Sequence, residues 1–338
     1  MLAILVAFTL KEVTLSFSSK PKLAKKVRVI KSIKVKKSPV NLLSSTPLGG
    51  DIYICDSKNN RIIEVNPAKQ IIWQMNGIED PDDVQVYSKN LLIVNQENYS
   101  RVIGINPQTK QIVWSYGHLG TPGSATGYLG KYLDDSFKLP NGNILITDAG
   151  NMRAIEVNSS GAIVWQYGVT GVVGTSTGYL AAPDDAMPQT DGSILITEVS
   201  NHTAIDINPI NKAINWTIDI PEVYPSDVVT LPGGNILSTD WVYPGKIQVI
   251  NHTGQVVWSY QPTGANTLNH PSSAQLLPNG NYLIVDDRNN RVIVLNPKTQ
   301  QIVWQYGQTG TPGIGTNLLN DPSGVALATP MISPAFVK

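Results

Sequence analysis

Four aspartates stand at equivalent places in a recurring phrase. Asp83, Asp135, Asp185 and Asp227 close Pro81-Asp82-Asp83, Leu133-Asp134-Asp135, Pro183-Asp184-Asp185 and Pro225-Ser226-Asp227. Two further copies, at Pro271 and Pro322, put Ser273 and Gly324 in the same place. Carboxylates brought together on one axis repel. They must be relieved by a cation, by protonation, or by hydrogen bonds from backbone N–H groups. On the functional reading Asp83, Asp135, Asp185 and Asp227 hold a divalent ion, Ca²⁺ being the natural cofactor, or a cationic ligand. On the structural reading each aspartate only caps the start of its strand. Residue types alone do not choose between the two.

Other residues offer different chemistry. His118, His202 and His252 lie in loops with no second histidine or carboxylate at ligand spacing. His270 directly precedes the Pro271 phrase, which joins it and Ser273 to the candidate ligand site and makes His270 the one candidate nucleophile. Arg61, Arg101, Arg153 and Arg291 recur opposite acids such as Asp56, Asp148 and Asp286. An anion-binding ring would use such arginines, but repetition at equivalent positions favours one hairpin ion pair per repeat. Trp241 and Tyr243 share an irregular loop, where they would form a recognition patch for a sugar or protein, or else fill a gap. Cys55 is the only cysteine, so there is no intramolecular disulfide and no cysteine zinc site.

The elements that must position these residues are marked by tryptophan. Six of the seven tryptophans occupy one phrase, as in Gln111-Ile-Val-Trp114-Ser-Tyr116 and Gln301-Ile-Val-Trp304-Gln-Tyr306. Trp73, Trp114, Trp165, Trp216, Trp258 and Trp304 lie 41, 51, 51, 42 and 46 residues apart. Apolar residues at the second, fourth and sixth positions give a period of two, so the phrase is a strand. Ahead of each Trp strand stand three more pieces: the Pro/Leu phrase with an apolar stretch, a turn such as Pro140-Asn-Gly-Asn143, and two strands around a loop. Asn-Gly between apolar runs signals a hairpin, because both residues tolerate positive φ. Proline follows the asparagine ending the third strand in four repeats, at Pro67, Pro107, Pro209 and Pro297. Four antiparallel strands repeated six times predict an all-β, six-bladed β-propeller of four-stranded antiparallel blades. The first strands then line the central channel, which carries the four aspartates to its mouth. Glycine-rich connections such as Gly117–Gly123 run into another strand, not a helix N-terminus, so they are not phosphate loops.

The repeat resembles known families. Asp56-Ser-Lys-Asn59-Asn-Arg61, Asp148-Ala-Gly-Asn151-Met-Arg153 and Asp287-Arg-Asn-Asn290-Arg291 are similar to the motif of NHL-type six-bladed propellers. Leu139-Pro-Asn-Gly-Asn-Ile-Leu145 and the Asn-Pro-x-Thr-x-x-Ile-Val-Trp phrases also resemble arylsulfotransferase-type and quinoprotein-like propellers. NHL propellers are mostly binding modules, whereas the other two groups include enzymes, and arylsulfotransferase-type enzymes use a channel histidine as nucleophile. No local motif carries that role onto His270.

Charge and termini bound the rest. The 25 Lys and Arg balance the 25 Asp and Glu, which argues against nucleic acid as a partner. Nine of those basic residues fall within residues 20–37 with no acid among them, so the repeats are net acidic. Residues 1–10 are apolar but too short to span a bilayer. The expected organisation is an N-terminal segment 1–38 (a truncated signal or anchor, then a strand or arm), a propeller 39–329 and a tail 330–338. Residues 39–43 or the C-terminal phrase at Pro322 would complete blade one. The resulting expectation is a non-catalytic module, extracellular or on the cell surface, for a protein, glycan or small-molecule ligand, touching membrane only through such an anchor. The rival is a lactonase-, lyase- or arylsulfotransferase-like enzyme at the channel mouth.

Overall fold

The computed structural model describes residues 46–329. The expectations for 1–38, for 39–43 as a first strand and for 330–338 lie outside these residues. Among the described residues, strands form six four-stranded antiparallel sheets, each ordered from an innermost first strand to an outermost Trp strand. This is the expected six-bladed propeller. The second strands, such as Ile52–Asp56 and Ile144–Asp148, are buried along their whole length. They lie between neighbouring blades on both faces, so their first residues are mostly apolar and each ends on a buried polar or acidic residue such as Asp56 or Asp148. The Trp strands have one flank in water and alternate, as Gln111–Gly117 does.

Closure is made by the C-terminal phrase. Pro322–Leu327 pairs with Ile52–Asp56, placing Val325 opposite Ile54 and Leu327 opposite Ile52. The last strand is thus the innermost strand of blade one, and the ring shuts with six interfaces. Each interface holds its own apolar cluster. Val285, Val292 and Trp304 of blade six, for example, pack with Ile52, Ile63 and Val325 of blade one.

The six tryptophans sit in fourth strands as expected, but only Trp304 is fully buried and the other five are half-buried. Four of them clasp the next blade. The indole N–H of Trp73, Trp165, Trp258 and Trp304 donates to the carbonyl of Pro107, Pro209, Pro297 and Pro67 at 2.8–3.0 Å. These are the four prolines after the fixed asparagine, so the proline marks an interlock as well as a turn. Where blade five has His252 instead, Trp216 meets its ring edge-on at 5.7 Å. Trp114 faces the blade that carries Ser159, and no indole bond forms there. Trp258→Phe is therefore expected to cost about 1 kcal/mol more than Trp114→Phe, the net worth of one hydrogen bond. Urea denaturation of both variants measures this, and equal losses would remove the clasp from the account.

The repeated arginines are hairpin ion pairs, not an anion ring. The Nε atoms of Arg61, Arg153 and Arg291 lie 2.6–2.8 Å from Asp56, Asp148 and Asp286, all nearly inaccessible to water. Arg101 instead bonds Gln96 at 2.7 Å. The free oxygen of each acid receives the N–H of the residue leading into the first strand, such as Gly130 on Asp148 and Asn269 on Asp286. In blade six the motif sits one residue earlier than expected. Asp286 and Asn289 make these bonds, which frees Asp287 to face the channel.

Candidate functional site

Every first strand carries a β-bulge at its polar phrase. Pro81 opposes Gln96 and Val84 opposes Val94, which leaves Asp82 and Asp83 both opposite Asn95. The same irregularity sets Asp134-Asp135 against Thr147, Asp184-Asp185 against Thr197 and Ser226-Asp227 against Thr239. A bulge suspends the alternation of side chains. Both residues of each pair therefore reach the central cavity, whose volume is about 1840 Å³. Counting one aspartate per blade missed Asp82, Asp134 and Asp184. Their signal was the doubled polar residue itself, which a regular strand would not place on one side.

The structure brings the four expected aspartates together. Asp135, Asp185 and Asp227 offer carboxylate oxygens that all lie within 4.8 Å of one another. Asp83 meets Asp135 carboxyl to carboxyl and accepts a 2.8 Å hydrogen bond from the Gln85 amide. Asp227 accepts the Ala274 N–H of blade six at 2.9 Å, so capping accounts for one of its oxygens. Asp185 is 2% exposed, and neither of its oxygens receives a well-formed hydrogen bond. The Asp135 carboxyl and the Ala186 N–H face it and favour its charged form. Ser273, also on the cavity wall, has a buried hydroxyl without a partner.

Burial raises every carboxyl of this group. Asp184 and Asp185 are pushed up to about 7 by desolvation, which outweighs the neighbouring hydrogen bonds that pull them down. Asp82, Asp134, Asp135 and Asp227 are driven well above the usual carboxylate range, first by burial and then by the charge of neighbouring acids, foremost Glu97, Asp184, Asp83 and Asp185 respectively. Glu97, on the loop above, is raised to about 7 by burial and by Asp80. Burial and mutual repulsion thus favour protonation of these carboxyls. Raising the pH or supplying positive charge removes the protons.

The uncharged side of the ring has a steric cause next to Asp83. A Cβ on Gly324 would sit 2.3 Å from the Asp82 carbonyl oxygen and 2.7 Å from the Asp83 Cα. No side chain fits where the first strands of blades one and two converge, so the gap there is filled by backbone.

Two expectations need correction. His270 does not line the cavity. Its ring lies behind Trp241, edge-on at 4.6 Å, with Nδ1 2.8 Å from the Asn269 side-chain oxygen. Burial, then the Arg288 charge, holds the imidazole below its ordinary value. The Trp241–Tyr243 patch also comes apart. Tyr243 is 67% exposed, while Trp241 turns into the cavity wall. Its indole N–H donates to Asp287 at 3.0 Å, its ring packs on Tyr224, and the Arg288 guanidinium lies over it. Trp241 thus fills an irregular loop and forms part of the channel mouth at the same time. Asp287, missed by the sequence reading, also accepts the Ser272 hydroxyl at 2.6 Å. Burial raises it well above the usual range.

The family described as outer membrane protein assembly factor BamB (PQQ_2) matches residues 133–328, more than half of the chain. The chain belongs to this family. The match favours the quinoprotein-like side of the repeat's resemblances over the NHL type. No curated protein matches the sequence. Among solved structures, a protein of unknown function from Bacteroides caccae is 15% identical with a TM-score of 0.61, covering 82% of this chain and 97% of its own. The WD40 propeller domain of Doa1 is 13% identical with a TM-score of 0.50, covering 76% of this chain and 78% of its own. Virginiamycin B lyase from Staphylococcus aureus is 15% identical with a TM-score of 0.47, covering 70% and 75%. At these identities the likeness is one of fold. Among the described residues no helix is long and apolar enough to cross a membrane.

Proposed function

We propose that this BamB-family propeller is a non-catalytic binding module that captures positive charge in its channel, as a divalent cation such as Ca²⁺ or as the cationic group of a larger ligand. The observation that carries this reading is the carboxylate set of Asp135, Asp185 and Asp227, whose oxygens lie within 4.8 Å of one another. Oxygens that share one Ca²⁺ at about 2.3–2.6 Å can be no more than about twice that distance apart. Asp185, buried without a good donor, supplies the unmet demand for positive charge. The acidic mouth repels nucleic-acid phosphate. The assembly-factor description of the family supports a partner-binding role and an exported or surface location.

Melting at pH 8 with increasing Ca²⁺, Mg²⁺ or ethylammonium tests the reading. A ligand that binds only the folded state raises the midpoint, by about 2.7 kcal/mol of stability at a hundredfold excess over Kd. At least one of these cations is expected to raise the midpoint, and Asp185→Asn to diminish the rise. No shift with any of the three retires the site. The enzymatic alternative has one supporting observation, since carboxyls near pKa 7 suit general acid–base catalysis. His270, its candidate nucleophile, lies outside the cavity wall.

A further inference from the structure

Beneath the carboxylates the cavity changes character. Phe137, Met187 and Val229 each follow Asp135, Asp185 and Asp227 by two residues on the same strands, and all three line the cavity. Two residues of strand place them on the same side about 7 Å further along the channel. The apolar lining continues through Val86, Leu231 and Leu276 toward the opposite mouth. Blades three, four and five therefore present an acidic band with an apolar wall directly below it. The other blades hold Gln85, Gln275 and Ala326 at the lower level.

A naked metal ion would use the acidic band and leave the apolar wall idle. A polyamine extending toward that wall would bring its second charge against Phe137 and Met187. A ligand with one charged end and an apolar body meets both. Binding sites that are mostly apolar, with a few converging polar groups, take such organic ligands. Methionine adapts its shape to varied apolar partners.

We infer that the channel binds an amphipathic organic amine. Its ammonium group sits among Asp135, Asp185 and Asp227, and its apolar body extends along Phe137, Met187 and Val229. This deepens the cation-binding reading and rests on it. Asp185 is the anchor, because it is buried, points into the cavity and has no good donor of its own.

The test is calorimetric titration of the full chain at pH 8 with n-alkylammonium chlorides from ethyl to hexyl, with hexanol and hexanoate as controls. Affinity is expected to rise about threefold to fourfold per added methylene, and hexanol and hexanoate to bind at least a hundredfold more weakly than hexylammonium. Phe137→Ser combined with Met187→Ser should flatten the chain-length dependence, bringing hexylammonium affinity down toward that of ethylammonium. Asp185→Asn should weaken the whole series while keeping its slope. If the double variant does not fold, the series on the unaltered protein still decides. Affinity independent of chain length, or hexanol binding as tightly as hexylammonium, overturns the inference. Binding of Ca²⁺ with no alkylammonium binding overturns it too, and leaves the cation reading standing. If neither Ca²⁺ nor any ammonium ion binds, the underlying reading has failed with it.

Discussion

Replacing Arg291 with methionine is expected to destabilise the protein by about 3–5 kcal/mol, the usual cost of removing one partner from a buried ion pair. Arg291 is 1% exposed. Its Nε holds Asp286 at 2.7 Å, and its other nitrogens reach Thr309, Gln305 and the Asn266 carbonyl. Asp286 in turn holds the Asn269 N–H at the entrance to the first strand of the same blade. Loss of the guanidinium strands a carboxylate whose pKa burial already raises against the pull of Arg291. In the variant that pKa climbs further, so the penalty should be smaller at pH 5, where the acid neutralises, than at pH 8. Urea denaturation at the two pH values measures both. A loss below about 1 kcal/mol at pH 8 would mean that the pair is ordinary surface electrostatics.

Stability in chelator is expected to fall as pH rises from 5.5 to 8, opposite to the trend of proteins stabilised by paired carboxylates. Burial pushes folded Asp184 and Asp185 up to about 7 and drives Asp135 well above the usual carboxylate range, against about 3.9 in the unfolded chain. For an acid with a raised folded pKa, the contribution is whole below the unfolded value. It is lost as pH climbs through the folded one. A single proton held only by the folded state is worth at most about 4 kcal/mol over three pH units. Positive charge supplied by a bound cation replaces those protons, so Ca²⁺ or an alkylammonium ion should restore the midpoint most at pH 8 and least at pH 5.5. Asp185→Asn should make the profile shallower. A midpoint that is flat or rising over this range would mean that the carboxyls are solvated and the cluster is not strained.

Much of this protein can be read along the chain. Propeller order follows from six Trp strands, because a period of two and a fixed spacing are properties of the sequence itself. The equivalence of Asp83, Asp135, Asp185 and Asp227 came from the same register. So did the ion pairs of Arg61, Arg153 and Arg291, since hairpin partners are set by short separations.

Other features exist only once the ring has closed. The sequence offered the Pro322 phrase as one of two candidates to complete blade one, and only ring closure decides that Pro322–Leu327 pairs with Ile52–Asp56, because that contact joins the two ends of the repeat array. A clasp from Trp73 to Pro107 crosses between blades, so the four prolines read alone were only turn residues. The bulges redirected Asp82, Asp134 and Asp184 into the cavity. Strand periodicity assigns side chains to alternate faces and cannot register a two-against-one pairing. His270 and Trp241 changed places for a related reason. Sequence gives their distance from Pro271, but the rotation of the loop decides that the indole, and not the imidazole, faces the channel. The sequence determined which residues are equivalent. The tertiary structure alone decided which of them meet, because burial, and the charge repulsion it magnifies, depends on three-dimensional proximity that no repeat spacing encodes.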